Sequence, residues 1–239
     1  MNKYLLKYTL EFFVIVTGIS LSFWINEWNN NRSNSDKELF FLNGLKNDLE
    51  IQLNSFDEYD DFSSQTIELG ASILEEYSLF QSFKKTDSLN FKLSRLMYSS
   101  TYPSVNTTFN ELQSTGQFTL FKNNLLSSKI IKYYQDSDSY NNRVTKNIDL
   151  VYYNEIFPII KSSTIIDPNN FGLTNNKINL IVVEKLLKTI LNNSEKEFEL
   201  VNAIGLRIVV AKTNQSYVKI MIKEAKSVLE MINKELDKS

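Results

Sequence analysis

Tyr4 to Ile25 reads YLLKYTLEFFVIVTGISLSFWI, and this stretch decides the architecture of the whole chain. As a helix it would rise about 33 Å at ~1.5 Å per residue, enough to cross a hydrocarbon core of ~30 Å. Trp24 and Trp28, the two tryptophans of the protein, lie where an interfacial aromatic belt would place them. The pattern predicts an uncleaved transmembrane anchor. A buried amphipathic helix and a cleaved signal peptide are the alternatives.

Charges on either side of this segment bear on its orientation. Lys3, Lys7 and the amino terminus precede it, whereas Arg32 and Lys37 follow it. The positive-inside rule gives a slight preference for a cytoplasmic N-terminus. We therefore expect a single-pass protein of the inner (cytoplasmic) membrane of a bacterium, with an anchor over residues 1–30. Residues 31–239 would then form a soluble helical domain in the periplasm.

Composition excludes several classes of function. The 239 residues contain no cysteine and no histidine, which removes thiolate sites, Ser-His-Asp catalysis and the commonest metal ligand. The net charge is −2 and the basic residues are dispersed, so we expect no nucleic-acid partner. No catalytic pattern remains, and we expect a protein that is not an enzyme and that uses no cofactor or metal.

The scarcity of turn-forming residues predicts an all-α fold. Only 6 glycines and 3 prolines occur, whereas sandwiches and barrels need many turns. Apolar residues recur in steps of three and four, which is typical of amphipathic helices. The pattern predicts helices over 36–81, 87–99, 124–161 and 178–191, with a last helix from residue 194. Pro158 would kink or end its helix, and 167–170 would form a turn. The expected architecture is an antiparallel bundle of long helices with a few short ones.

Three Ser/Thr-x-x-Glu patterns predict helix N-termini, because in a capping box each side chain bonds a free backbone N–H group. A glycine in the left-handed conformation commonly ends a helix. The predicted N-terminal caps are Ser35 with Glu38, Thr108 with Glu111, and Ser194 with Glu197. Gly116 is predicted to end the short helix that begins at Thr108.

Two segments together resemble a bacterial family of membrane-anchored helical proteins that is classed as a domain of unknown function. The first comprises Glu11, Gly18-Ile19 and the exit sequence from Trp24 to Asn29, in which Trp24 stands where the family has Gln. The second runs from Phe109 to Gly116 and resumes at Leu120 to Asn123. The resemblance implies the anchored helical architecture and no activity, substrate or catalytic residue.

Polar and small residues within the anchor are candidate contacts. Glu11 is a functional candidate because a carboxylate in a span is costly; the alternative is an i,i+4 ion pair with Lys7. Gly18 and Ser22 form a small-xxx-small pair, which predicts pairing of two spans, and the alternative is that they face lipid. The remaining candidates would bind a lipid headgroup or a partner, or serve only as interfacial anchors: Trp24, Asn26, Trp28 and Asn29.

A lone anchor and long helices with large side surfaces favour a non-enzymatic scaffold or protein-interaction module. Its partners would be the lipid bilayer and a second protein, or further copies of the chain. The alternative is a sensor that binds a small ligand between the helices. The side chains that could line such a cavity are Tyr133, Tyr134, Tyr152 and Tyr153.

Overall fold

The computed structural model describes residues 2–166 and 180–238, and every regular element in these ranges is helical. The prediction of an all-α chain is confirmed. The predicted turn at 167–170 lies outside the described residues. The elements are α1 (Asn2–Phe80), a 3-10 turn (Phe83–Lys85), α2 (Leu89–Leu96), α3 (Thr107–Thr115), a second 3-10 turn (Gln117–Leu120), α4 (Asn124–Lys146), a π-helix (Asn147–Ile156), α5 (Phe157–Ser162), α6 (Leu180–Ile190) and α7 (Ser194–Leu236).

Helix α1 has 79 residues and a length of about 118 Å. The predicted helix start at residue 36 is wrong, because no glycine or proline lies between Gly18 and Gly44 to interrupt the turn-by-turn hydrogen bonding. Near the N-terminus, α1 contains one stretch that is long and apolar enough, by length and composition, to cross a membrane. Each described side chain from residue 7 to residue 34 is exposed, and burial begins at Glu38.

Helix α7 packs along the buried part of α1. As residue numbers rise on α1, those of the contacting residues fall on α7: Lys219 pairs with Asp60 at 3.4 Å, and Glu197 accepts from Ser82 at 3.2 Å. Between these contacts the helices touch at Gly70. A Cβ atom there would lie 2.8 Å from Cγ1 of Ile208, so Gly70 permits a close approach.

The core lies between these two helices and the shorter ones that cover them. Its fully buried members come from α1, α2, α3, α4, the π-helix, α5 and α7, and they include Leu45, Phe56, Ile73, Leu93, Leu112, Ile130, Tyr152, Ile160, Ile204 and Val218. Removing such side chains from water is the main stabilising contribution to the fold.

The predicted helix over 124–161 is one continuous helical run whose hydrogen-bond register changes. It is α-helical to Lys146, π-helical over Asn147–Ile156, and α-helical again from Phe157. Pro158 lies in the first turn of α5, where the register changes from π to α, so its missing N–H group falls at that change of register. The run therefore continues to Ser162 rather than ending at the proline.

Candidate functional site

The exposed N-terminal part of α1 contains the anchor candidates, and none of them is packed against the rest of the chain. The Nζ atom of Lys7 lies 3.9 Å from Oε1 of Glu11, one helical turn away. The Ser22 hydroxyl donates to the Gly18 carbonyl at 2.9 Å, and a Cβ atom added at Gly18 would meet nothing within 4 Å. The exit residues Trp24, Asn26, Trp28 and Asn29 are all exposed. These side chains therefore have no contact with the packed part of the chain.

Within the packed part, four carboxylates on the two long helices accept hydrogen bonds from backbone N–H groups at or just before the beginnings of other helical elements. For Thr108 and Phe83, which lie in the first turn of their elements, this is helix capping in trans, by an acid from another part of the chain. The amides of Lys122 and Asp87 instead lie one residue before the N-cap residues of α4 and α2. The four pairs are Glu38 with Lys122 N at 2.9 Å, Asp48 with Thr108 N at 2.8 Å, Glu76 with Asp87 N at 2.9 Å, and Glu197 with Phe83 N at 3.3 Å.

These bonds have a clear physical advantage. The first N–H groups of a helix have no partner within it, and they carry a partial positive charge that favours an anion. Hydrogen bonds from an amide to a carboxylate are stronger than those between neutral groups. Glu38 and Asp48 are buried, so their negative charges also need these donors. The four carboxylates thus fix how the beginnings of these elements pack on α1 and α7.

The predicted cap at Ser35 and Glu38 is wrong, since both residues lie in the interior of α1. A capping box needs a free helix end, and here the preceding helix supplies carbonyl partners for these N–H groups. Both side chains instead hold the segment before α4. Glu38 accepts from the Lys122 amide, and the Lys122 ammonium donates to the Ser35 hydroxyl at 3.1 Å.

The other two predicted boxes are displaced from the true N-termini. Helix α3 begins at Thr107, so Thr108 is inside it, and Glu111 is exposed. Helix α7 begins at Ser194, where the capping side chain is that of Asn193, which accepts from the Glu195 amide at 2.9 Å. The Glu197 carboxylate instead accepts hydrogen bonds from the Ser82 hydroxyl and the Phe83 amide. Gly116 ends α3 with a φ angle of 67°, the left-handed conformation.

A buried arginine performs the corresponding role at the C-terminus of α2. Arg207 is 4% exposed; its Nε donates to the Leu96 carbonyl at 3.3 Å and its Nη2 to the Tyr98 carbonyl at 2.6 Å. The guanidinium lies 4.7 Å from the centre of the Tyr152 ring, and the Tyr152 hydroxyl donates to the carbonyl of Met97. A helix C-terminus attracts a cation, and the aromatic face adds a cation–π contact.

Burial has opposite effects on the two ionisable groups of this cluster. It lowers the pKa of Arg207 and raises the pKa of Tyr152 to about 12, although the adjacent cation lowers the latter. The sequence gives one signal for this residue: Arg207 interrupts the apolar stripe of the last helix between Ile204 and Ala211. Its hydrogen bonds stabilise the fold, and no open cavity adjoins it among those described below.

The four tyrosines considered for a ligand cavity do not meet in one. Tyr133 and Tyr152 are fully packed in the core, and Tyr133 donates to the Gln52 side chain at 3.0 Å. Tyr153 is half-exposed near Ser99. Tyr134 borders an open cavity between α3 and α4.

The end of the packed part farthest from the apolar N-terminal stretch has an exposed apolar surface, which we call the distal surface. It is formed by large side chains that are 45–73% exposed: Leu79, Phe80, Phe91, Val182, Leu186 and Phe198. One of them, Phe91, lines a cavity of about 460 Å³ together with Phe83, Leu89 and Leu187.

Lysines surround this cavity. Lys84, Lys85 and Lys188 line it, against one acidic lining residue, Asp87. The Lys84 ammonium donates to the Asn192 side chain at 2.6 Å, and none of the three lysines forms an ion pair within residues 2–166 and 180–238. The distal surface therefore combines exposed apolar area with three lysines that line the neighbouring cavity.

Comparison with known proteins identifies no relative. No family model matches the chain, and no curated protein or solved structure matches it. The resemblance to membrane-anchored helical proteins therefore stays a prediction. Among the described residues, no group of three or more acidic side chains could hold a metal ion.

Proposed function

We propose that the chain is a single-pass membrane protein that holds a non-enzymatic interaction module at a fixed distance from the bilayer. The observation that carries this proposal is the continuity of α1. Its exposed apolar part and its packed part belong to one uninterrupted helix. A transmembrane anchor over residues 1–30 and an antiparallel bundle over 31–239 would then be joined without a flexible linker.

This geometry favours a rigid spacer. Phe80 lies 52 residues beyond Trp28, which corresponds to about 78 Å along a helix. Exposed residues 29–34 separate the apolar segment from the first buried side chains by only about two helical turns. The packed part would therefore begin close to the membrane surface and present its distal surface far from it. We propose that the anchor lies in the inner membrane and that the packed part lies in the periplasm.

The distal surface is the docking site that we propose for the partner. Large apolar side chains that remain exposed on a soluble domain commonly mark contact surfaces. The 460 Å³ cavity can accept an apolar anchor side chain, and buried anchors supply most of the affinity of protein interfaces. The three surrounding lysines favour carboxylates around that anchor. The partner is accordingly a protein whose contact surface is apolar at its centre and acidic at its rim.

Photo-cross-linking in native membranes tests this assignment, and the chain offers a matched control. Leu79 on the distal surface and Leu125 at the start of α4 are both 73% exposed. A photoreactive residue at position 79 should give one discrete protein adduct that position 125 does not give. Replacing Lys84 and Lys85 by glutamate should remove the adduct. Equal adducts from both positions, or an adduct indifferent to the lysines, would contradict the proposal.

The same experiment separates a different protein from a second copy of the chain. An adduct with twice the mass of the chain identifies a homo-oligomer, and Gly18→Ile then reports whether the anchor takes part. If the yield is unchanged by Gly18→Ile, the distal surface alone carries the assembly. Alkaline phosphatase fused to the C-terminus checks the setting, because it is active only outside the cytoplasm.

A further inference from the structure

The exposed sides of the two long helices carry opposite charges. Between Lys46 and its end at Phe80, α1 contains acidic residues but no lysine or arginine. Between Glu199 and Glu224, α7 contains lysine and arginine but no acidic residue. On each helix, exposed charged side chains recur in steps of three, four or seven residues, which places them on one face. We call these faces the acidic stripe of α1 (Glu50, Asp57, Asp61, Glu68 and Glu75) and the basic stripe of α7 (Lys212, Lys219, Lys223 and Lys226).

The two stripes border the same groove between α1 and α7. Lys219 belongs to the basic stripe, and its ammonium lies 3.4 Å from a carboxylate oxygen of Asp60. Asp60 is three residues after Asp57, so this contact lies beside the acidic stripe. One turn farther along α1, the Ser64 hydroxyl accepts from the Gln215 side chain at 2.8 Å. One side of the packed part therefore presents a line of carboxylates next to a line of ammonium groups.

Opposite charges lie at the same level along the two helix axes. The antiparallel contact of Lys219 with Asp60 sets this level, and the bond between Gln215 and Ser64 agrees with it. Counting from this contact, three lysines of the basic stripe each fall within one residue, or about 1.5 Å, of the level of an acidic residue. These pairs are Lys212 with Glu68, Lys219 with Asp61, and Lys223 with Asp57.

Within one chain, this complementarity is largely unused. In residues 2–166 and 180–238, Lys219 is the one member of the two stripes that forms an ion pair. Val209 and Ile220 are 57% and 46% exposed and add apolar area beside the basic stripe. A fitting partner must place cations opposite the acidic stripe and carboxylates opposite the basic stripe, with the same spacing. A second copy of the chain meets this requirement.

The charges also select the symmetry of such a pair. A half-turn about an axis parallel to the helices brings α1 of each copy against α7 of the other, with every level unchanged. A half-turn about an axis perpendicular to the helices would bring α1 against α1 and oppose the carboxylates, which is unfavourable. The favoured arrangement points both N-terminal segments in the same direction. Two copies anchored in one bilayer need that arrangement, although the charge argument does not depend on the anchor.

We propose that two copies of the chain form a lateral dimer in which the acidic stripe of each copy pairs with the basic stripe of its partner. Exposed ion pairs contribute little individually and are screened by salt, so the dimer is weak and sensitive to ionic strength. Lys84 and Lys85, on which the docking proposal depends, belong to neither stripe. The two proposals therefore stand or fail independently.

A charge-swapped chain tests the dimer and keeps opposite charges across the groove of each single copy. Its net charge stays the same because three acidic residues and three lysines are exchanged, and the contact of Lys219 with Asp60 is kept. The exchanges are Asp57→Lys, Asp61→Lys and Glu68→Lys with Lys212→Glu, Lys223→Glu and Lys226→Glu. The full chain is studied in an uncharged detergent, with analytical ultracentrifugation for mass and co-purification of differently tagged copies for pairing.

We expect the parent and the swapped chain each to dimerise at low salt. Their dissociation constants should rise at least about tenfold between about 50 mM and about 500 mM salt. Parent and swapped copies should not co-purify, because a mixed dimer opposes like charges along both stripes. A parent chain that stays monomeric at low salt, or mixed dimers as abundant as parent dimers, would overturn the proposal.

Cysteine cross-linking locates the contact, because the chain has no cysteine of its own. Copies with Glu68→Cys are mixed with copies with Lys212→Cys, so that a short bis-maleimide can join only two different chains. This pair should cross-link, whereas Glu75→Cys with Lys226→Cys, which lie roughly 33 Å apart in level, should not. Equal yields from the two pairs would show that the copies meet along another face and would overturn the proposed pairing of stripes.

Discussion

Replacing Gly70 by alanine should act very differently from the same replacement at Gly205. Both glycines lie inside long helices, Gly70 in α1 and Gly205 in α7, and neither has a positive φ angle. A Cβ atom at Gly70 would lie 2.8 Å from Cγ1 and 3.1 Å from Cδ1 of Ile208, whereas one at Gly205 would meet nothing within 4 Å. The pair therefore separates helix propensity from helix packing.

The magnitudes follow from these distances. Alanine is more favourable than glycine inside a helix by about 1 kcal/mol, so Gly205→Ala should raise the free energy of unfolding by about that amount. At Gly70 the same gain is opposed by overpacking, which typically costs about 1–3 kcal/mol. The contact atom Cγ1 is close to the Ile208 backbone and cannot move away easily. Gly70→Ala should therefore lower the free energy of unfolding by up to about 2 kcal/mol.

Urea unfolding of the detergent-solubilised full chain, followed by circular dichroism at 222 nm, measures both effects. Ile208→Ala should cost clearly less stability in the Gly70→Ala background than in the parent chain, since it removes the clashing atoms. The two substitutions should show a coupling free energy of about 1 kcal/mol or more. Equal stabilisation by Gly70→Ala and Gly205→Ala, with no coupling to Ile208, would refute the close approach of α1 and α7.

Two further predictions concern polar contacts of the packed part. Arg207→Met should lower the free energy of unfolding by about 2–4 kcal/mol in the same assay, because it leaves the carbonyls of Leu96 and Tyr98 without their arginine donor. A loss below about 1 kcal/mol would contradict that role. The hydrogen bond from Lys92, and then that from the Asp87 amide, hold the pKa of Glu76 below its usual value. The stabilisation by the Glu76 carboxylate is therefore fully present above pH ~4.5 and is lost as the pH falls through the lowered pKa. The difference in free energy of unfolding between the parent chain and Glu76→Gln should accordingly shrink with acidification. A difference that is independent of pH would exclude the ionised contact.

The sequence predicts the class of fold well because helix formation here depends on local features. The scarcity of glycine and proline and the three-four spacing of apolar residues are properties of neighbouring residues, and they predict α4 and α7 closely. The boundaries of α2 and α3 differ from the prediction by a few residues at most. The continuity of α1 was missed because Ser35 and Glu38 match a start pattern. The Ser/Thr-x-x-Glu pattern stabilises a helix N-terminus where one exists, but it does not itself interrupt a helix.

Other features depend on long-range contacts and left little trace in the sequence. The π-helical register over Asn147–Ile156 follows no composition rule that is visible in those ten residues. The cavity beside Tyr134 depends on the separation of α3 and α4, which periodicity does not determine. Arg207 is the exception, since a charge inside an apolar stripe predicts a buried polar contact. Its partners, the carbonyls at the end of α2, lie more than a hundred positions away.

Long-range bonds from carboxylates to backbone amides explain why the sequence misplaces the helix caps. A local pattern assigns each Ser/Thr-x-x-Glu carboxylate to its own helix, but a carboxylate bonds whichever free N–H group the fold brings to it. Glu38 and Glu197 bond amides 84 and 114 residues away. When an acid on a long helix satisfies the amide of Thr108, the local capping residue Asn106 loses that role. The Asn106 side chain therefore makes no capping bond, although Asn106 is the N-cap residue of α3, and the long-range bond from the Thr108 amide to Asp48 fixes α3 on α1 instead.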